Sequence, residues 1–311
     1  MTTIIETEGL SKWYGPVLGV TDLKILVEPG ITGLLGPNGA GKSTFLKLVA
    51  GQLKPSAGRV SVFGENPWTT PELFRKIGYC PEAQGLYTDL TARESLLFLL
   101  RLHGYREAEV ESRTLQALEA VGLVDRADRR VETYSFGMKQ RLKIALALAH
   151  DPDLLLFDEP LNGVDPLWRI RLTALFESLA SRGKTLLVSS HILPEVEAMT
   201  RQILLIHQGK VFAQGEIPAI RELIDTHPHR VSLRVDRPRE MAKLLLESSS
   251  LEGLQFQPQQ EELLNLTVTN REKFYAFLLE VVVRHGFNVE EMVSTDDNLQ
   301  SVFDYLVERK R

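Results

Sequence analysis

A glycine-rich segment at residues 36–43, GPNGAGKS, has the residue types and spacing that hold phosphate groups. Its glycines allow backbone N–H groups to turn toward phosphate oxygens at the start of a helix predicted over residues 44–50. Lys42 supplies a positive charge to the β and γ phosphates, and Ser43 offers a hydroxyl group to Mg²⁺. A plain glycine-rich turn is the alternative. The candidate binding residues of this segment are Gly36, Pro37, Asn38, Gly39, Ala40, Gly41, Lys42, Ser43 and Thr44.

Two carboxylates, Asp158 and Glu159, follow the apolar run at residues 154–157. A strand that ends in this way places its first carboxylate near the magnesium ion of a P-loop. Glu159, one residue further, is free to point toward an attacking water and to act as a general base. An acidic turn after a buried strand is the alternative. Beside the glycine-rich segment, the pair predicts a magnesium ligand at Asp158 and a catalytic base at Glu159.

The signature segment, residues 133–141 with the sequence TYSFGMKQR, indicates which class of P-loop protein this is. It precedes a helical run at residues 142–149 and resembles the LSGGQ signature of ABC ATPases. The matching positions are Ser135, Gly137, Gln140 and Arg141, and the departing positions are Tyr134, Phe136 and Met138. In that family the loop caps the γ-phosphate held by the opposite subunit, so the resemblance implies nucleotide contacts from Ser135 and Gly137. A serine that only caps a helix is the alternative.

Two further landmarks of the ABC family flank the glycine-rich segment, and the resemblance covers about residues 4–215. Tyr14 matches the aromatic residue that stacks on adenine, with a core tyrosine as the alternative. Glu82 ends a segment that resembles the Q-loop, where glutamine is usual. The resemblance leaves two roles open for Glu82, as an oxygen ligand of Mg²⁺ or as a group that holds the attacking water, and Gln84 could replace it.

The last landmarks follow the carboxylate pair in the order of the family. Asp165 closes the D-loop segment, residues 162–165, through which two subunits sense each other, with a turn as the alternative. His191 follows a strand predicted over residues 185–189 and resembles the switch histidine, with a structural histidine as the alternative. The resemblance thus implies catalytic roles for Glu159, His191 and Glu82, and metal contacts from Ser43, Asp158 and Glu82. Tyr14, Ser135, Gly137 and Asp165 join the residues of the glycine-rich segment as nucleotide contacts.

The candidate site residues lie far apart in the sequence, so the fold must bring them together, and the sequence predicts an α/β fold. Short apolar runs alternate with helical patterns as far as about Gly215, which indicates an α/β domain with a largely parallel sheet. Strands are predicted over residues 30–35, 59–63, 154–157 and 185–189. Helical periodicity replaces the strand signal over about residues 84–150, so we expect an inserted helical subdomain. The resemblance implies a P-loop NTPase fold of the ABC ATPase type over residues 1–216.

A different pattern follows a predicted linker at residues 217–229. Alternating and helical stripes over residues 230–311 read as βαββαβ, followed by a terminal helix at about residues 296–308. We expect a small α+β domain, compatible with a ferredoxin-like module. Dimerisation, regulation and ligand sensing all remain open as its role.

The overall composition limits the function classes. The chain has 311 residues, 43% of them apolar, which suffices for one large domain and a smaller one. A net charge of -5 offers no basic field for nucleic acid, and the single cysteine, Cys80, fits a reducing compartment. No apolar run reaches the ~18 residues of a membrane helix, and the N-terminus lacks an export signal. We expect a cytoplasmic protein that reaches the inner face of the membrane through a permease.

The features together predict hydrolysis of ATP with Mg²⁺ between two head-to-tail subunits. Each site with Lys42 and Glu159 is completed by Ser135 and Gly137 of its partner. A homodimer is expected, and a heterodimer remains open. The layout resembles the ATP-binding subunits of two-component bacterial exporters, which implies a separate permease docked near residues 82–100. A soluble ABC ATPase with a non-transport partner, a small-molecule P-loop kinase and a low-turnover nucleotide-sensing regulator are the alternatives.

Overall fold

The computed structural model describes residues 3–83, 85–220, 229–257 and 260–294. The chain divides into two compact units, Met1–Glu216 and Ile217–Arg311. Gln84 and the terminal helix predicted over residues 296–308 lie outside the described residues.

The first unit contains nine strands and six α-helices in its described residues. The strands are β1 (Ile5–Tyr14), β2 (Val17–Val27), β3 (Ile31–Leu35), β4 (Ala57–Val62), β5 (Ile77–Cys80), β6 (Leu154–Phe157), β7 (Thr185–Ser190), β8 (Gln202–His207) and β9 (Lys210–Glu216). The helices are α1 (Lys42–Val49), α2 (Ala92–Leu102), α3 (Glu107–Ala120), α4 (Phe136–Leu148), α5 (Pro166–Ser181) and α6 (Leu193–Glu197). The predicted α/β class is therefore confirmed.

A six-stranded sheet forms the centre of this unit, with the order β5-β6-β7-β3-β8-β9. The first five of these strands run parallel, and only β9 is antiparallel to its neighbour. Every residue of β6 and β7 is buried, which explains their continuous apolar runs. Because parallel strands end at one edge, the segments that follow β3, β6 and β7 all leave the sheet on the same side. A second, antiparallel sheet has the order β2-β1-β4.

The helical subdomain consists of α2, α3 and α4, inserted between β5 and β6. Its core contains Leu96, Leu100, Val110 and Leu118 on the inner faces of α2 and α3. The start of α4 differs from the prediction, since the helix begins at Phe136 and not near residue 142. Most of the signature segment is therefore the beginning of a helix. Apolar periodicity missed this start because the first turn is partly exposed, and only the cap marks it.

From His229 onward, the described residues of the second unit have the element order βαββαβ. Its elements are β10 (His229–Val235), α7 (Pro238–Leu245), β11 (Leu251–Gln257), β12 (Gln260–Val268), α8 (Arg271–His285) and β13 (Val289–Ser294). All strand pairs are antiparallel, in the order β11-β12-β10-β13. Phe274 and Phe287 are buried in its core, and Phe287 lies just before β13.

The predicted linker at residues 217–229 is not irregular throughout. Residues 217–220 are helical and β10 begins at His229, so both ends of the predicted linker have regular structure. Within the part of the chain that the structure describes, no helix is both long and apolar enough to cross a bilayer.

Candidate active site

The glycine-rich segment forms a loop between β3 and α1. Gly41 precedes α1 with φ 109° and has no side chain to cap the helix, so the first N–H groups of α1 are available to a ligand. A Cβ atom at Gly41 would lie 2.7 Å from the carbonyl oxygen of Gly19, so the close approach also requires glycine. The loop lines a cavity of about 340 Å³, which we call the P-loop cavity.

Lys42 reaches back across this loop and is buried. Its Nζ donates to the carbonyl oxygens of Gly36, at 2.6 Å, and of Pro37, at 3.3 Å. The same Nζ lies 3.1 Å from Oε1 of Glu159. A phosphate oxygen that binds Lys42 therefore competes with the carboxylate of Glu159 for the ammonium group.

Glu159 also contacts His191 through its other carboxylate oxygen. Nδ1 of His191 lies 3.0 Å from Oε2, and the His191 side chain is 42% exposed whereas Glu159 is 6% exposed. The residue predicted as switch histidine, His191, thus contacts the carboxylate of the predicted base, Glu159. His191 links a buried carboxylate to solvent, which is the position from which an attacking water can be ordered.

Side chains hold the backbone of Glu159 on both sides. Glu159 has φ 50°, a left-handed conformation that costs a non-glycine residue about 1–3 kcal/mol. Ser189 Oγ accepts a hydrogen bond from the Glu159 N–H at 2.8 Å. Gln140 Nε2, on α4, donates to the Glu159 carbonyl oxygen at 3.2 Å. These bonds stabilise a backbone conformation that aims the carboxylate at Lys42.

Asp158 is 1% exposed at the end of β6 and is held by the neighbouring strand. Ser189 Oγ donates to Oδ1 of Asp158 at 2.8 Å, so one serine hydroxyl bridges Asp158 and Glu159. Within the described residues, no cluster of three or more His, Cys, Asp or Glu side chains could hold a metal by itself. Mg²⁺ usually takes one or two carboxylates together with phosphate oxygens and water, so a donor set of Asp158 and the Ser43 hydroxyl fits an ion that binds with a nucleotide.

Tyr14 and Glu82 also line the P-loop cavity. Tyr14 is 44% exposed, so the alternative of a core tyrosine is wrong. Its hydroxyl oxygen lies 3.4 Å from Oγ1 of Thr44, which places the ring beside the start of α1. Glu82 follows β5 and lines the same cavity as Glu159. The structure therefore brings the candidates on five separate segments to one place.

The remaining candidates cap two helices. Ser135 Oγ accepts a hydrogen bond from Met138 N at 3.2 Å and caps α4. This cap is the role that the alternative reading of Ser135 gave it. Asp165 Oδ1 accepts one from Trp168 N at 3.1 Å and caps α5. Ser135, Gly137 and Asp165 do not line the P-loop cavity of their own chain. The signature segment and the D-loop segment meet instead, where the ring of Phe136 packs on Gly163.

Sequence reasoning missed Ser189, Gln140 and Lys143. Ser189 could have been found, because parallel neighbours that end in Asp-Glu and in Ser-Ser-His bring these groups to one sheet edge. Gln140 matches the ABC signature, but its contact with Glu159 was not predicted, and Lys143 carried no signal; both contacts depend on how α4 packs on β5 and β6. Burial raises the pKa of Cys80, which ends β5, to about 12, so this thiol is not a nucleophile.

Sequence similarity to known proteins covers the glycine-rich segment, the signature segment and the carboxylate pair. The family model described as ABC transporter matches residues 20–162. The bacitracin transport ATP-binding protein BcrA of Bacillus licheniformis is 43% identical over 221 residues, 70% of this chain and 71% of the relative. The linearmycin resistance ATP-binding protein LnrL of Bacillus subtilis (strain 168) is 32% identical over 304 residues, 96% of this chain and 97% of the relative. This second match therefore includes most of the second unit.

The fold of the first unit is also found in solved structures. A solved ATP-binding subunit of an ABC transporter has a TM-score of 0.66 and 33% sequence identity to this chain. The match covers 71% of this chain and 93% of the solved chain.

Proposed function

The chain belongs to the ABC transporter family of ATP-binding subunits, and from this premise we propose that it powers export through a separate membrane-spanning subunit by hydrolysing ATP at the P-loop cavity. The observation that carries the proposal is the position of Glu159. Its carboxylate lies between Lys42, which the family uses to bind phosphate, and His191, at 3.1 Å and 3.0 Å.

The described contacts support a sequence of roles for these residues. Lys42 and the first amides of α1 bind the β and γ phosphates, and Tyr14 offers its exposed ring to the adenine. Phosphate binding at Lys42 displaces the carboxylate of Glu159, which is then free to accept a proton from the attacking water. His191 orients that carboxylate and the water. Ser43 and Asp158 would hold Mg²⁺, which would supply positive charge to the phosphate groups.

A head-to-tail homodimer completes the site in this proposal. Ser135 and Gly137 lie at the N-terminus of α4, where backbone N–H groups and the helix dipole favour an anion. They do not line the P-loop cavity of their own chain, so a nucleotide can reach them only across a subunit interface. Gly163, in the D-loop segment with Asp165, contacts the same region through Phe136. In a head-to-tail dimer, a second copy of the chain would place its signature segment and its D-loop segment at the P-loop cavity of the first copy.

An apolar groove on the first unit offers a surface for the membrane subunit. The groove has a volume of about 560 Å³ and lies beside α2 and the end of β5. Its large exposed apolar side chains are Phe74, Tyr87, Phe98 and Leu102. An exposed patch of this kind marks an interaction site. We propose that a helix of the permease binds there, which holds the chain at the inner face of the membrane.

The direction of transport follows from the relatives. One is a bacitracin transport protein and the other a linearmycin resistance protein. Resistance by transport requires that a compound be moved out of the cell, so we infer export. The second unit is assigned to dimerisation or regulation in this proposal, since none of its described residues lines the P-loop cavity.

The test is steady-state ATPase activity of the purified chain with Mg²⁺, beside Glu159→Gln and a control, Glu177→Gln, at an exposed position on α5. Loss of the base should lower kcat by about 10²–10⁴-fold, while ATP still binds. Light scattering should show a dimer of Glu159→Gln that persists only with ATP. Equal turnover of all three proteins would refute the role of Glu159. A wild-type chain that stays inactive with its permease present would instead favour the nucleotide-sensing regulator.

A further inference from the structure

Lys143 is a charged side chain that is almost fully buried. It lies in the third turn of α4 and is 3% exposed. A buried ammonium group is costly unless hydrogen bonds and nearby charges compensate it. The groups that compensate Lys143 therefore indicate what the residue does.

Three successive carbonyl groups receive the hydrogen bonds of Lys143. Its Nζ donates to the carbonyl oxygens of Pro81 at 2.8 Å, Glu82 at 2.9 Å and Ala83 at 3.3 Å. An ammonium group has three donors, so all of them are used on one short segment. Burial lowers the pKa of Lys143, and the nearby Cys80, Asp158 and Glu82 oppose that shift.

The segment that Lys143 holds carries one of the candidate catalytic residues. Residues 81–83 follow β5 directly, and Glu82 lines the P-loop cavity together with Glu159. No strand or helix includes residues 81–83, so their position depends on contacts such as these. The three hydrogen bonds of Lys143 attach this backbone to α4.

The same face of α4 also holds Glu159. Gln140, three residues before Lys143, donates to the Glu159 carbonyl oxygen at 3.2 Å. Residues at positions i and i+3 share a helix face. One face of α4 thus binds the backbone of both Glu82 and Glu159, the two glutamates that line the P-loop cavity.

The next residues of the chain line the apolar groove. Gly85, Leu86 and Tyr87 contribute to its wall, and so do Leu146 and Ala147 of α4. Along the chain, residues 81–83 therefore lead from a residue that lines the P-loop cavity, Glu82, toward residues that line the groove. A loop in this place needs a firm attachment if Glu82 is to keep its position.

We propose that Lys143 is a positioning residue that fixes residues 81–83 to α4 and thereby holds Glu82 at the nucleotide. The expected effect of Lys143 on turnover rests on the proposed ATPase function. The inference goes beyond that function by assigning a role to a lysine outside the P-loop cavity.

The test uses the full chain with Lys143→Met, which keeps most of the stem and removes the donors. Glu82 should then lose its position, so kcat should fall by about tenfold or more while the Kd for ATP changes by less than about threefold. Lys184→Met is the matched control. Lys184 also contacts several oxygens, of Asp151 and Asp153, but precedes β7 at the sheet edge opposite the cavity. Its loss should leave kcat unchanged.

A double-mutant cycle separates positioning of Glu82 from general damage. If Lys143 acts through Glu82, Lys143→Met should lower kcat in the wild-type background and cause no further loss beside Glu82→Ala. The same fold-loss in both backgrounds would overturn the proposal, and so would an unchanged kcat in a folded Lys143→Met. Lys143→Gln, which retains two N–H donors, serves if the methionine variant does not fold, and should keep part of the activity.

Hydrogen exchange gives a readout that does not need turnover. The amides of Glu82 and Ala83 should exchange at least about tenfold faster in Lys143→Met than in the wild type, with α2 unchanged. Equal exchange would overturn the proposal even if the wild-type chain were inactive. An inactive wild type with faster exchange in the variant would refute the ATPase function and leave the attachment by Lys143 supported.

Discussion

The ring of Phe136 packs so closely on Gly163 that a Cβ atom at Gly163 would lie 2.2 Å from the ring atoms Cδ1 and Cε1. Phe136 stands where the ABC signature usually has glycine, and Gly163 belongs to the D-loop segment. The larger residue therefore joins the signature segment to the D-loop segment of the same chain. Gly163 also has φ 69°, which disfavours any side chain there.

We expect Gly163→Ala to lower the free energy of unfolding by more than Gly183→Ala. Gly183 has φ 88°, and a Cβ atom added there would meet no other atom within 4 Å, so it measures the backbone cost alone. That cost is about 1–2 kcal/mol. The contact with Phe136 should add to it, and urea unfolding should detect the difference. In a Phe136→Ala background the two glycine substitutions should cost the same; a persistent difference would show that the ring is not the cause.

Ser189→Ala should lower kcat by about tenfold with little change in ATP affinity, because Asp158 and Glu159 both lose the hydroxyl that orients them. Ser11→Ala is the matched control. The Ser11 hydroxyl is also buried, donates to Gly9 O at 3.2 Å and accepts from Asp22 N at 2.9 Å, away from the P-loop cavity. Steady-state ATPase rates and nucleotide titration measure both effects. A folded Ser189→Ala with wild-type kcat would contradict the role of the serine.

Phe98→Asp should abolish the response to a permease without changing the chain's own ATPase rate. Phe98 is 48% exposed in the apolar groove, and a carboxylate there would oppose burial against a partner helix. Leu115→Asp on α3 is the control, since Leu115 is 41% exposed but lies outside the groove. Co-purification of each variant with a co-expressed permease provides the measurement. If Phe98→Asp and Leu115→Asp co-purify equally well with the permease, the groove is not the binding surface.

The stability of the first unit should fall as the pH is lowered from about 6.5 to about 4. Burial, with the neighbouring His103, lowers the pKa of His150 from 6.5 to about 4. The unfolded chain therefore binds a proton in this range that the folded chain does not, so the contribution of His150 is present above pH 6.5 and is lost below it. It amounts to about 3 kcal/mol.

The variant His150→Phe tests this pH dependence. It keeps the ring stacked on His103, where the centroids are 4.2 Å apart, and removes the titrating group. Urea midpoints between pH 4 and pH 7 should therefore fall less steeply for the variant than for the wild type. Parallel curves would show that another group is responsible.

Much of the first unit could be predicted because its signals are local. The strand predicted over residues 154–157 is confirmed as β6, and β7 extends one residue beyond its prediction. Both are completely buried, and burial on both faces favours the apolar runs by which such strands are recognised, LLLF in β6 and LLV in β7. The start of α4 was predicted wrongly, because Ser135 marks it by one capping bond and not by apolar periodicity.

The sequence by itself determined which residues can do chemistry, since a phosphate loop, a carboxylate pair after a strand and a histidine after the next strand are patterns of neighbours along the chain. Only the tertiary structure decided which of them touch. Lys42, Glu159 and His191 meet because β3 and β6 both lie beside β7, and that strand order is not encoded in any local spacing. The contacts of Lys143 depend likewise on the packing of α4 against the end of β5, where a buried charge finds its partners only after the chain has folded.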